Sequence, residues 1–365
     1  MKKKKFIVFM PTVNAGGGVE KNFFIITNYL CSKLSKITVI TLSRSAKQKL
    51  NKRIRVICPK INFIENLGRR AKFLISLIFL FKEIIDNKNS TVICFQGIIY
   101  CTLLCKITGT KVIIRSNSSP SGWSKNFLKK FFYKKIYGLA DKIIVNSLFF
   151  KKELKQKFNL KSVCIYNPLD KKEIYRDSQK KIKIDFYKKK SLNIISVARF
   201  SDQKDHDCLI KSINVLKDEY YLKLILLGSG PLKDKIFQRI KELKLSKIIK
   251  IIDFKKNPYP LINKSELFIL SSRYEGSPNV LLEAISLKKF VISSDCPTGP
   301  REILDNGKGG ILFRPGDYRM LSNKIIFYIK NKKRLEKKKI YAFKRLSRFN
   351  YNERLKDYHE ALINF

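Results

Sequence analysis

The chain is short of acid. Its 365 residues include 29 Asp and Glu against 77 Lys and Arg, a formal charge of +48, and such an excess suits a polyanionic partner. Lysine is also spread through turns and helix backs, where a solvated face and a general compositional bias explain it as well. Histidine is scarce: His206 and His359 are the two present, and neither supports a Ser-His-acid triad. None of the eight cysteines forms a C-x-x-C pair. Several fall inside apolar runs where a reduced thiol packs as a small hydrophobe, so a reducing, cytosolic setting is expected. Long hydrophobic runs are missing too. The start MKKKKFIVFMP holds an apolar part too short for a secretory core and reads as a first buried strand. The longest run, FLISLIFLF at 73–81, is closed by Lys72 and Lys82 and is roughly half of the ~20 residues that span a bilayer. The expectation is a chain that does not cross a membrane but can lie on one.

The sequence has ample material for cores. A hydrophobic content of 44% over this length is enough for two. Short apolar runs alternate with helical patterns, which argues for an α/β fold of parallel sheets wrapped by helices. Strands are expected at FIVFM, ITVITL, IRVICP, TVICFQ, KVIIRS and KIIVNS, then, after a lysine-rich break at 171–190, at LNIISVA, LKLILLG, IIKIID, ELFILSS and FVISS. This division predicts domains at 1–183 and 184–345, with a C-terminal helix at 346–365 returning to the first.

Three strand-to-helix loops have the composition of anion sites. In FIVFMPTVNAGGGVEKNFF, Gly16, Gly17 and Gly18 let backbone approach a ligand at a helix start, although G-x-G-x-x-G is absent. In SVARFSDQKDHDCLI, Arg199 and Lys204 leave a strand end on the edge where ligands of open α/β folds collect. In RYEGSPNVLLEA, Glu275 and Glu283 flank Gly276, Ser277, Pro278 and Asn279, residues that open a helix with its first N–H groups available. Asp205-His206-Asp207 spells D-x-D, a metal-binding pattern elsewhere, but at a helix start Asp reads as a cap.

With GGGVEK, ADKIIVNS, IYNPLD, SVARFSDQKDH, LILLGSGPLKD, ELFILSSRYEGSPNVLLEA and SDCPTGPREIL in order along most of the chain, the sequence resembles the retaining nucleotide-sugar glycosyltransferases of family 4. The spacing of Glu275 and Glu283 matches that family's E-x7-E signature. The resemblance implies the GT-B architecture, two facing Rossmann-like domains with a donor cleft between them, the first for the acceptor and the second for the donor. By similarity, Glu275 meets donor-sugar hydroxyls near the reacting carbon and Glu283 the ribose hydroxyls. Backbone N–H groups at Gly276, Ser277, Asn279 and Val280 receive the diphosphate. Arg199 and Lys204 neutralise it and, with Glu275, form the expected catalytic set. Gly17 and Gly18 belong to the loop that closes over the donor phosphate. No metal or other cofactor is implied, since the cations and the helix N-terminus take the role of Mg²⁺.

One departure bears on mechanism. Many relatives have a His in the loop after the strand KVIIRS; here the loop reads RSNSSPSG, and Ser116 or Asn117 takes its place on the acceptor side. Neither is a general base near neutral pH. That suits a front-face retaining route in which the leaving phosphate oxygen takes the proton. The segment GWSKNFLKKFFYKKIYGLADK mixes aromatics and lysines over residues 123–137, which reads as a basic amphipathic helix for an anionic membrane surface or, equally, as an ordinary core helix. A lipid-linked glycan acceptor at the inner face of the cell membrane fits the former. The expected function is retaining transfer of a hexose or N-acetylhexosamine from a nucleotide sugar, UDP-linked, in surface-polysaccharide synthesis. A sugar-nucleotide epimerase or phosphorylase of the same architecture is the nearest alternative. Nucleic-acid binding, suggested by charge, lacks zinc spacing, an RNP sequence or an Arg-rich recognition helix.

Overall fold

The computed structural model describes residues 5–13, 17–34, 36–59, 67–117, 127–296 and 298–364. Gly16, Trp123 and Lys125 lie outside them. The chain divides into two compact units, Met1–Pro168 with Asn352–Phe365, and Leu169–Tyr351. The lysine-rich stretch at 171–190 therefore opens the second unit. Part of it is the helix Lys171–Ser178, whose first turn is capped by Asp170 Oδ1 accepting from the Glu173 N–H at 2.9 Å and which buries Ile174.

The first unit is built on strands β1 (Lys5–Phe9), β2 (Lys36–Ile40), β3 (Arg55–Ile57), β4 (Ser90–Cys94), β5 (Lys111–Ser116), β6 (Lys142–Val145) and β7 (Val163–Cys164). Their order is β3-β2-β1-β4-β5-β6-β7 and every pair is parallel. A parallel sheet has helices on both faces, so its central strands read as continuous apolar runs; all of STVIC in β4 is buried. The six expected strands are present. The added one, β7, is two residues long with Val163 exposed, too little for an apolar run to betray.

The second unit repeats the plan with β8 (Leu192–Val197), β9 (Leu222–Gly228), β10 (Ile249–Asp253), β11 (Leu267–Leu270), β12 (Phe290–Ser294) and β13 (Ile311–Phe313), ordered β10-β9-β8-β11-β12-β13 and again parallel. Each sheet thus reverses direction beside its first strand, at β1/β4 and at β8/β11. At such a switch point the crossovers leave to opposite faces, and a crevice opens at the strands' C-terminal ends. The two sheets are those of two Rossmann-like domains, as the sequence leads one to expect.

The helix Tyr351–Ile363 is tied into the first unit by a buried arginine. Arg115, 1% exposed, donates from Nε to Tyr358 Oη at 2.8 Å and from Nη2 to Asn167 Oδ1 at 2.8 Å. Its guanidinium lies 5.5 Å and 5.9 Å from the ring centroids of Phe95 and Tyr358, within cation–π range. Lys142 Nζ donates to the Ala361 carbonyl at 2.6 Å.

Close packing of β8 on β9 sets the loop that bears Arg199. A Cβ at Gly228 would lie 1.9 Å from the Ala198 carbonyl oxygen, a backbone atom with no rotamer to yield. Gly228→Ala is expected to destabilise the second unit by about 2 kcal/mol, the usual cost of overpacking, as a lower urea midpoint. An unchanged midpoint would show that the loop gives way freely.

Candidate functional site

The loops after β8 and β11 meet at the second sheet's switch point. After β8 the chain passes Arg199, which is exposed, and the short turn Asp202–Lys204 before entering the helix His206–Leu216. Asp205 is left-handed at φ 45°, and its Oδ1 accepts from the Cys208 N–H at 3.4 Å. Its Oδ2 pairs with Arg273 Nε at 3.1 Å, while Asp207 pairs with Lys211 at 2.7 Å and Arg239 at 3.3 Å. The D-x-D carboxylates are therefore engaged in capping and in ion pairs.

Lys204 and Glu275 come together directly. The Lys204 ammonium donates to Glu275 Oε1, and the same oxygen accepts from Ser272 Oγ at 2.6 Å. Both side chains are largely buried, 17% and 7% exposed, where a lone charge would be costly and a paired, hydrogen-bonded one is tolerated. Ser271 Oγ fixes the Lys204 backbone by donating to its carbonyl at 2.9 Å. On the far side, Thr298 Oγ1 donates to the Glu275 carbonyl. Gly299, at φ +86°, lies so close that a Cβ there would be 2.2 Å from the Gly276 oxygen. The turn that presents Glu275 is thus clamped between two segments of the unit.

Immediately beyond it runs the helix Asn279–Ser286, with Pro278 at its N-cap and no side-chain cap. Proline brings no acceptor to the first turn, so an anion is suited to that end by the aligned N–H groups. Gly276, Ser277, Asn279 and Val280 are half-buried there. Glu283, 7% exposed, accepts from Tyr259 Oη at 3.3 Å. The arrangement therefore offers a cation, two carboxylates and a helix N-terminus within one unit. Ser271, Ser272, Thr298 and Tyr259 were not singled out by sequence reasoning. The segment SDCPTGPREIL contains Thr298 and Gly299 and was the available signal.

Next to the ion pair lies an unusual histidine. His206 is 3% exposed, its ring is 5.0 Å edge-on from Phe200, and neither ring nitrogen has a hydrogen-bond partner among the described residues. Burial, and secondarily the charge of Lys204, lowers its pKa to about 4. Burial, with Glu275 a lesser cause, raises the Cys296 thiol to about 12, so that cysteine is an inert thiol at neutral pH.

The expected residues of the first unit occupy its own strand ends. Gly17 caps the helix Gly18–Lys33, and a Cβ there would be 1.8 Å from Glu20 Oε2. Glu20, which sequence reasoning did not single out, therefore lies across that helix start. Ser116 is 1% exposed, its Oγ 3.0 Å from Tyr137 Oη in the core. Asn117 is half-buried and its Oδ1 accepts from Arg115 Nη1.

Two family models match the chain: Glycosyltransferase Family 4 over residues 16–173 and Glycosyl transferases group 1 over residues 177–345. Among curated proteins, the N-acetylgalactosamine-N,N'-diacetylbacillosaminyl-diphospho-undecaprenol 4-alpha-N-acetylgalactosaminyltransferase of Campylobacter jejuni is 32% identical over 58% of this chain and 59% of its own length. The chain thus spans somewhat more than half of that relative. Among solved structures, sucrose-phosphate synthase of Thermosynechococcus elongatus aligns with a TM-score of 0.83 at 15% identity over 99% of both chains. Anabaena HepE in complex with UDP-glucose aligns with a TM-score of 0.79 at 17% identity over 99% of this chain and 100% of that one. These structural likenesses establish the fold.

The buried histidine has a pH consequence. Its folded pKa of about 4 is below the ordinary 6.5, so between the two values the unfolded chain binds more protons. Stability is then full above about pH 6.5 and declines as pH falls toward 4, by on the order of 3 kcal/mol. The urea midpoint of the wild type is expected to fall more steeply between about pH 6.5 and pH 4.5 than that of His206→Leu. Parallel slopes would show that the imidazole protonates in the fold without cost.

Proposed function

Because the chain belongs to the glycosyltransferases, a family 4 domain followed by a group 1 domain, we propose that it transfers a hexose or N-acetylhexosamine from a UDP-sugar to a lipid-linked or polysaccharide acceptor, with retained anomeric configuration. The observation that carries this reading is the Lys204–Glu275 pair beside the side-chain-uncapped start of the helix Asn279–Ser286. A nucleotide sugar presents a diphosphate flanked by hydroxyl-bearing rings, and the site offers complementary groups in that order. The name of the Campylobacter relative, which contains diphospho-undecaprenol, supports a lipid-linked acceptor, which this reading sets at the cytoplasmic membrane face. The UDP-glucose complex of HepE supports the donor class.

On this reading a diphosphate enters at the helix N-terminus and competes for the Lys204 ammonium, which releases Glu275 Oε1 toward a sugar hydroxyl. Arg199, exposed on the preceding loop, joins Lys204 on the phosphate. As the bond from the anomeric carbon to the phosphate oxygen breaks, negative charge grows on the leaving nucleotide and these cations stabilise it. The acceptor oxygen bonds to the anomeric carbon from the same face, and its proton passes to the leaving phosphate oxygen. No protein base or metal ion is needed for that step, in keeping with an acceptor-side loop that offers Asn117 in place of a histidine. Glu283 holds the ribose hydroxyls, with Tyr259 orienting its carboxylate.

The two carboxylates are expected to fail differently. Glu275→Gln loses a charged acceptor beside a centre that gains positive charge, and kcat should fall by ~100-fold or more with little change in donor KM. Glu283→Gln weakens hydrogen bonds that act before and during reaction alike, worth roughly 1.5–3 kcal/mol, and should raise donor KM. Steady-state kinetics with a panel of UDP-sugars, NMR of the product anomer, and activity in EDTA test the proposal together. An inverted product, or activity abolished by EDTA and restored by Mg²⁺, would sink the mechanism. Wild-type kinetics in both variants would assign the carboxylates to the fold.

A further inference from the structure

One face of the first sheet is covered by helices whose outer sides are apolar. The helices Arg69–Asp86, Ile98–Ile107 and Phe127–Gly138 follow β3, β4 and β5, and the middle one packs against both neighbours. Their inner sides supply Leu80, Ile84, Cys101, Cys105 and Tyr137 to a single core with sheet residues such as Phe9, Cys94 and Ile114. That much is ordinary amphipathic packing, and it predicts polar outer sides.

The outer sides differ from that expectation. On the first helix Leu74, Ile78, Phe81 and Ile85 are exposed, Ile78 by 68%. Their spacing keeps them on one stripe, opposite the buried Ser76, Leu80 and Glu83. On the second helix Tyr100, Leu103 and Ile107 form a matching stripe, with Ile107 82% exposed. On the third, Leu128, Phe131 and Phe132 are exposed. Adjacent stripes on adjacent helices amount to a continuous apolar face rather than scattered surface residues. The run FLISLIFLF thus holds more apolar side chains than the core consumes.

Charge identifies the occupant. The second and third helices contain no acid. On the first, Glu83 is turned inward to Arg55 at 2.8 Å, which leaves Asp86. Lys72, Lys82, Lys134 and Lys135 belong to the same helices. A second copy of this face would bring like charges together, whereas anionic headgroups would neutralise them. Among the described residues no helix is long and apolar enough to cross a bilayer, so the stripes suit lying on one.

We propose that this three-helix face docks the chain on an anionic lipid bilayer, with the outer residues of 69–86 and 98–107 entering the headgroup–acyl boundary and the lysines meeting lipid phosphates. The surface is wider than the basic segment at 123–137 expected from the sequence, and its main apolar contribution comes from the two helices before it. The proposal does not rest on the transferase reading, because its test needs no donor or acceptor.

The test is sedimentation with vesicles of equal parts phosphatidylglycerol and phosphatidylcholine, beside vesicles of phosphatidylcholine alone. The wild type is expected to pellet with the anionic vesicles. The variant Leu74→Ser/Ile78→Ser/Ile107→Ser, with every lysine retained, should lose roughly tenfold or more of its vesicle partition. Ile78→Lys alone, a milder change, should lose severalfold. The altered residues point outward, so circular dichroism and the urea midpoint should match the wild type. A wild type that ignores anionic vesicles, or a folded triple variant that partitions as the wild type does, overturns the proposal. So does a wild-type dimer that the triple variant dissociates with vesicle partition unchanged, since a second copy would then be the occupant.

Discussion

Parallel strand pairing is the constraint from which the rest follows. A strand that must run in the same direction as its neighbour cannot return through a tight turn, so each connection crosses a face of the sheet and each strand ends at the same edge. In the second unit this brings the loops after β8 and β11 together without any specific attraction between them. Lys204 and Glu275 belong to these loops. Their ion pair, 71 residues apart in sequence, is a consequence of topology first and of electrostatics second.

The pair also shows how a nearly buried cation is kept charged. An unpaired ammonium in a nearly buried position would lose its charge or draw in water. Glu275 prevents that while occupying only part of what Lys204 can offer, since an ammonium has three donors. The surrounding bonds are directed at backbone: Ser271 to the Lys204 carbonyl, Thr298 to the Glu275 carbonyl, Ser294 to the Ser272 carbonyl at 2.5 Å. These side-chain bonds to carbonyls fix the turn, and Ser272 alone among these serines reaches the charged end, at Glu275 Oε1.

Much of this was legible in the sequence, for physical reasons that differ by element. Central strands such as STVIC and LILLG are buried and largely apolar because both faces are covered, so they declare themselves. β7 and β13 do not, at two and three residues, whereas the equally short β3 lies within the longer pattern IRVICP. The E-x7-E spacing and the cations after β8 marked two loops that the fold brings together, but not the direct contact between Lys204 and Glu275, which depends on strand order. Ser116 illustrates the opposite limit. Its place where many relatives have a histidine suggested an acceptor-side contact, yet which way a residue at a strand end points is set by register, and here the hydroxyl lies 3.0 Å from Tyr137 Oη. The exposed stripes were hidden in a similar way, because periodicity reveals an apolar residue without saying which of two faces it takes.

The buried Arg115 carries an implication for how the molecule is made. Its partner Tyr358 lies 243 residues further along, beyond the whole of the second unit. At ribosomal rates of about 5–20 residues per second, the first sheet waits on the order of 10–50 s for the residue that closes over its guanidinium. By the end of that interval all six strands of the second unit have been synthesised, while the first unit still lacks its last helix. Synthesis order and assembly order are therefore inverted: the half that begins first is the half that finishes last.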